Sequence, residues 1–135
     1  MKAHDLRVSD LMSTAVMTAE ASETIKEAHA DMQVGVFRHL PVLDERRRLV
    51  GMLSDRDVLR VVGAKRNGRV ADIMTREVIT IRPETPAHEA AQLMIDLKIG
   101  SVAVVDETGT LVGLVTQTDY LDLARRALLG LPLER

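Results

Sequence analysis

Two stretches of the chain place a hydroxyl and an aspartate carboxylate three residues apart: Ser54-Asp55-Arg56-Asp57 and Thr116-Gln117-Thr118-Asp119. Each follows a short apolar run opened by glycine, Gly51-Met52-Leu53 and Gly113-Leu114-Val115. Glycine lets a ligand or a neighbouring backbone approach a strand closely. The Ser or Thr is placed to open a helix, where free N–H groups and the helix dipole favour an anion such as phosphate. The Asp three residues on is an acceptor for a vicinal diol such as ribose. Together these groups describe the sugar and phosphate of a nucleotide. The same spacing is also a capping-box-like signal that satisfies only the first turn of a helix, and a single copy would favour that reading.

Other chemistry finds less support. His4, His29, His39 and His88 show no metal-ligand spacing, and the chain has no cysteine, which excludes disulfides, thiolate metal sites and a cysteine nucleophile. Asp55 and Asp57, two apart at a helix start, point in different directions and do not form an acid/base pair. No Ser/His/Asp set suggests itself. The chain is expected to be non-catalytic.

The elements that must position the two boxes come twice. Residues 8–59 shifted by 62 lie on residues 70–121 without a gap, with 16 identities in 52 positions, among them Asp10/Asp72, Met12/Met74, Val42/Val104, Gly51/Gly113 and Asp57/Asp119. Average residue usage would give roughly three by chance. In the second copy Val78 to Ile81 reads as a strand. Thr85-Pro86 reads as a cap with proline in the first turn of a helix to about residue 97, along which Ala87, Ala90, Ala91, Met94 and Leu97 recur at helical spacing. Ser101 to Val105 and Leu111 to Val115 flank the turn Asp106-Glu107-Thr108-Gly109, and a final helix starts near Thr116. The first copy repeats the order with strands Val16 to Ala19, His39 to Leu43 and Leu49 to Leu53, and helices from about Ser22 and Ser54.

The expected fold is therefore α+β: two β-α-β-β-α repeats, residues 1–64 and 65–135, packed about a pseudo-two-fold axis as one module with a shared cleft. Gly63 to Arg69 reads as the linker. Arg46-Arg47-Arg48, at the first hairpin, reads as a solvated turn.

At these residues the chain resembles the tandem cystathionine-β-synthase (CBS) domain family, whose paired repeats form a Bateman module. The resemblance covers residues 8–124. It rests on the lead-in segments Asp10-Leu11-Met12 and Asp72-Ile73-Met74, the strands His39-Leu40-Pro41-Val42 and Ser101-Val102-Ala103-Val104, and both Gly-x-x-(Ser/Thr)-x-x-Asp motifs. It implies a regulatory module, often a homodimer, that binds an adenine-containing ligand between its repeats and reports energy or metabolite state to a partner. The ligand class spans AMP, ADP, ATP, S-adenosylmethionine and NAD.

It further implies that Asp57 and Asp119 hold ribose hydroxyls and that Ser54 and Thr116 contact phosphate. Adenine would lie against Thr14, Val16 and Met17 with Leu40 and Pro41 in one site, and against Arg76, Val78 and Ile79 with Val102 and Ala103 in the other. Arg38, His39 and Arg56 are candidates for phosphate. The second repeat has Gly100, Ser101 and Thr118 at the positions of those three residues, and Ala103 at that of Pro41. The site with Ser54 and Asp57 is thus expected to take the more phosphorylated ligand, and the site with Thr116 and Asp119 to be weaker, empty or suited to a less charged adenosyl compound.

Composition sets the remaining expectations. A net charge of −2 and only two aromatic residues, Phe37 and Tyr120, disfavour nucleic acid. No apolar run approaches a membrane span, and a cytoplasmic location is expected. Core packing accounts for most methionines, with Met17 and Met52 near the expected cleft. The apolar C-terminal stretch Leu121 to Leu131 is expected to be buried in a homodimer interface, with a docking surface for another protein as the second reading. The rival to a ligand sensor is a constitutive dimerisation scaffold whose boxes are only caps.

Overall fold

In the computed structural model, which describes residues 2–35, 38–61 and 68–134, the chain forms two compact units. One consists of Met17–Val78, the other of Met1–Val16 together with Ile79–Arg135. Most of the expected linker, residues 63–67, lies outside the described residues.

The Met17–Val78 unit holds strand β1 (Ala19–Glu20), helix α2 (Ile25–Gly35), strands β2 (His39–Leu43) and β3 (Leu49–Ser54), and helix α3 (Asp55–Leu59); the short helix α1 (Val8–Leu11) lies earlier in the chain, in the other unit. Its sheet has the order β1-β2-β3, with β1 parallel and β3 antiparallel to β2. Ile25, Ala28 and Met32 recur at helical spacing on α2 and are buried with Leu40, Val42, Leu53 and Val58. The helix opens on a Thr24/Glu27 capping box, in which Glu27 N–H donates to Thr24 Oγ1 and Thr24 N–H to Glu27 Oε1.

The second unit repeats this order with β4 (Thr80–Ile81), α4 (Ala87–Leu97), β5 (Ser101–Val105), β6 (Leu111–Thr116) and α5 (Gln117–Leu128). Ala87, Ala90 and Met94 of α4 pack with Val102, Val104 and Val115. The expected β-α-β-β-α order is present in each repeat. The first strand of each is shorter than expected, since only two residues enter the ladder. Helix α4 begins two residues later than expected, with Pro86 as its N-cap and Thr85 Oγ1 accepting instead from Arg82 N–H.

Both hairpins turn on the same device. Asp44 Oδ1 accepts from the N–H groups of Arg46 and Arg48, as Asp106 Oδ1 does from Thr108 and Thr110. The left-handed position is Gly109 (φ 82°) in one repeat and Arg47 (φ 64°) in the other. Proline in a middle strand would ordinarily break a ladder. Pro41 escapes because its partner Met52 spends its N–H and C=O on Thr75, and because pairing with β1 begins only at Val42.

Repeats in sequence and units in space do not coincide. Each sheet is completed by the lead-in segment of the other repeat. Leu6, Val8 and Leu11 are buried in the core with β5, β6 and α4, while Val70 and Met74 are buried with β2, β3 and α2. The backbone bonds occur twice with roles reversed. Val8 N–H donates to Thr85 O (2.8 Å) and Ala87 N–H to Leu6 O (2.8 Å); 62 residues away, Val70 N–H donates to Glu23 O (2.8 Å) and Ile25 N–H to Gly68 O (2.9 Å).

Candidate ligand site

Both hydroxyl–carboxylate boxes sit where a strand hands over to a helix. In the Met17–Val78 unit β3 ends at Ser54, which pairs with His39 at the start of β2, so Arg38, His39 and the first turn of α3 lie together. Asp57 Oδ2 accepts from Ser54 N–H at 3.0 Å, and Ser54 Oγ accepts from Asp57 N–H at 3.1 Å. In the other unit Thr116 pairs with Ser101 at the start of β5, and Asp119 Oδ2 accepts from Thr116 N–H at 2.8 Å and from its hydroxyl at 3.3 Å. The capping geometry is thus real in both copies.

The expectation of free helix N–H groups is corrected. Asp55 N–H donates to Arg38 O at 2.9 Å, and Gln117 N–H to Gly100 O at 3.0 Å. With Asp57 N–H also engaged, most of the first turn of α3 is satisfied within the protein, because the start of each middle strand supplies a carbonyl at the right height. An anion here depends on side chains: Arg38, His39 and Arg56 are all exposed beside the Ser54/Asp57 box.

The glycines serve a neighbouring backbone. A Cβ on Gly51 would stand 2.5 Å from Met74 Sδ and 3.0 Å from Thr75 O; one on Gly113 would stand 2.7 Å from Met12 Sδ and 3.0 Å from Ser13 O. In each case the crowding atoms belong to the lead-in segment hydrogen-bonded along the strand, Thr75 to Met52 and Ser13 to Leu114.

That exchange regroups the expected adenine contacts. Thr14 and Val16 belong to the unit with Val102, Ala103, Thr116 and Asp119, and Val78 belongs to the unit with Pro41, Ser54 and Asp57. The sequence reading grouped them the other way. Met17 and Ile79 fall just across each boundary, in the Asp57 and Asp119 units respectively. Pro41, Val102 and Ala103 are fully buried in their sheets, whereas Thr14, Met17 and Ile79 are exposed and Val16 and Val78 half-buried.

The two carboxylates differ in exposure. Asp119 is buried at 6% while Asp57 is half-buried. Next to Asp119, Tyr120 donates its hydroxyl to Ala87 O at 2.7 Å; burial and then the Asp119 carboxylate push its pKa up to about 12. The arginine-rich hairpin lies at the far end of the first sheet, where Arg46 and Arg47 with Thr18, Glu20, Ser22 and Asp44 line a hollow of about 770 Å³. Among the described residues no group of three or more His, Cys, Asp or Glu side chains is placed to hold a metal ion, and no helix is long and apolar enough to cross a membrane.

Two small α+β repeats, each with a Ser/Thr–Asp box at its strand-to-helix corner, define a class of tandem modules built by duplication. The sequence pattern of the CBS domain matches residues 8–64 and 70–126, and the chain belongs to the CBS domain family. It is 30% identical over 138 residues to a CBS domain-containing protein of Dictyostelium discoideum, covering 93% of this chain and 95% of that protein. Other curated relatives are longer. This chain spans 23% of the L-aspartate semialdehyde sulfurtransferase of Methanocaldococcus jannaschii, with 34% identity over 119 residues and 88% of this chain covered.

Among solved structures, the CBS domain pair of protein MJ0100, in complex with 5′-methylthioadenosine and S-adenosyl-L-methionine, superposes with a TM-score of 0.81 at 31% identity, covering 90% of this chain and 98% of that one. The cytosolic domain of the Mg2+ channel MgtE in complex with ATP gives 0.75 at 35%, covering 84% and 46%.

Proposed function

We propose that this chain is a non-catalytic regulatory module that binds an adenine nucleotide or another adenosyl compound and passes that state to a protein partner acting in trans. The observation that supports it most directly is the pair of Ser/Thr–Asp boxes set beside strand starts, in a chain whose relatives MJ0100 and MgtE were crystallised with adenosyl ligands. In this reading Asp57 or Asp119 keeps the cap through Oδ2 while the carboxylate receives ribose hydroxyls, and Ser54 or Thr116 meets phosphate. AMP, ADP, ATP, S-adenosylmethionine and NAD share the moiety required. In the Asp57 unit Met17 and Val78 with Pro41, and in the Asp119 unit Thr14, Val16 and Ile79 with Val102 and Ala103, are the proposed surroundings of adenine.

The same reading makes the protein a cytoplasmic homodimer. Leu121, Leu128 and Leu129 of the last helix and its end are 70%, 87% and 63% exposed, and Ile95 on α4 is 69% exposed. So much exposed aliphatic surface is unfavourable in water, and a second copy covers it. The capping geometry favours one alternative, a dimerisation scaffold without a ligand, since caps explain the boxes by themselves.

Native mass spectrometry of freshly purified protein separates the two. An added mass matching an adenosyl compound, or one gained on adding ATP or S-adenosylmethionine, supports the sensor. Bare dimers that gain neither compound at millimolar concentration support the scaffold.

A further inference from the structure

We propose that the two boxes have diverged: one nucleotide polyphosphate binds per chain, in the unit of Asp57, and the unit of Asp119 is closed to it. This rests on the adenosyl-binding reading above and adds which box is used and why.

Three observations converge. The Ser54 hydroxyl accepts from Asp57 N–H at 3.1 Å, whereas the Thr116 hydroxyl donates to Asp119 Oδ2 at 3.3 Å and so occupies that carboxylate oxygen. Asp119 is 6% exposed, and Asp57 is reachable from solvent. Two guanidinium groups and an imidazole, Arg38, Arg56 and His39, stand exposed at one corner; the other has Gly100, Thr118 and Ser101 at those positions, none of them charged. Charge over the whole units runs the same way. The Asp57 unit carries eleven Lys and Arg against ten Asp and Glu, and the Asp119 unit seven against ten, so the first is net +1 and the second net −3. A triphosphate carrying several negative charges is drawn to the first unit and repelled by the second. The exchanged lead-in segments sharpen the contrast, bringing Arg76 into the Asp57 unit and Thr14 into the other.

Calorimetric titration with ATP and with adenosine, on the wild type and on an Arg38→Gln/Arg56→Thr double variant, tests this. Both altered side chains are exposed, and an unchanged melting curve verifies the fold of the variant. The expected result is one ATP per chain, bound more tightly than adenosine. The double variant should lose roughly tenfold or more in ATP affinity, as expected for lost charge-assisted hydrogen bonds, and little in adenosine affinity. Two equivalent ATP molecules per chain, or an ATP affinity unmoved in the double variant, would overturn the divergence while leaving the adenosyl reading intact. Failure of wild type to bind ATP, adenosine or S-adenosylmethionine would overturn both.

Discussion

Met52 and Thr75 exchange both backbone hydrogen bonds at 2.9 Å, so the free edge of β3 is paired by the lead-in segment of the following repeat. Ser13 does the same for Leu114 on β6, with bonds of 2.9 and 3.0 Å. A strand edge left bare invites unwanted pairing. Here duplication covers two edges with two short segments, and each segment also brings buried aliphatic side chains.

The first consequence concerns where damage appears. Leu11 stands in the first sequence repeat but is buried with β5, β6 and α4. Leu11→Ala should cost about 2–5 kcal/mol, the usual range for emptying a buried leucine site. Hydrogen exchange should show the loss of protection in Ser101–Val105 and Leu111–Thr116, with His39–Leu43 little changed. Val70→Ala should give the reverse pattern. Protection lost in the repeat that holds the mutated residue would refute the exchange.

The glycines give a second test. Gly51→Ala places a methyl against Met74 Sδ, which can swing aside, and against Thr75 O, which is fixed by its bond to Met52. Overpacking of this kind costs about 1–3 kcal/mol. The same is expected of Gly113→Ala against Met12 and Ser13. Thermal melting should fall by several degrees in each, and a melting point unchanged in both would show that the close approach is unimportant.

Arg47 occupies the left-handed position that Gly109 fills in the second hairpin, and a side chain there is disfavoured by about 1–2 kcal/mol. Part of that is recovered in Arg47→Gly, reduced by the greater freedom of glycine in the unfolded chain. Chemical denaturation should show a gain of about 0.5–1 kcal/mol. A loss of stability would mean that the Arg47 side chain makes a contact worth more than the strain.

Alkaline stability tests Tyr120. Its pKa is raised to about 12 in the folded state, so the neutral phenol favours folding. That contribution is complete below the unfolded value near 10 and is lost as the pH rises from there through about 12. Tyr120→Phe, which also removes the bond to Ala87 O, should lower stability at neutral pH and flatten its decline above pH 10. An equally steep alkaline decline in the variant would rule Tyr120 out as its source.

Much of this was legible because the chain supplies its own comparison. Strands β2, β3, β5 and β6 and their Asp-anchored turns follow from matched apolar runs and from Asp44/Asp106. The exchange of lead-in segments was not legible, for a physical reason. Val8/Val70, Leu11/Ile73 and Met12/Met74 are near-interchangeable, so either segment fits either core by shape and polarity, and pattern alone does not choose. Nor does a Ser/Thr-x-x-Asp spacing tell a half-buried carboxylate from one at 6% exposure, since the difference arises from the surrounding packing. The capping role and the glycine contacts were among the readings open in sequence, and both are present in the geometry.

The most direct measurement for the central claim is a thermal shift series with ATP, AMP and S-adenosylmethionine, on wild type and on Asp57→Ala. A ligand that binds only the folded state raises the melting temperature with the logarithm of its concentration. At least one of the three should do so in wild type, and the shift given by ATP should be abolished or strongly reduced in Asp57→Ala. Melting temperatures that stay flat up to millimolar concentrations of all three, or an ATP shift of undiminished size in Asp57→Ala, would contradict the account.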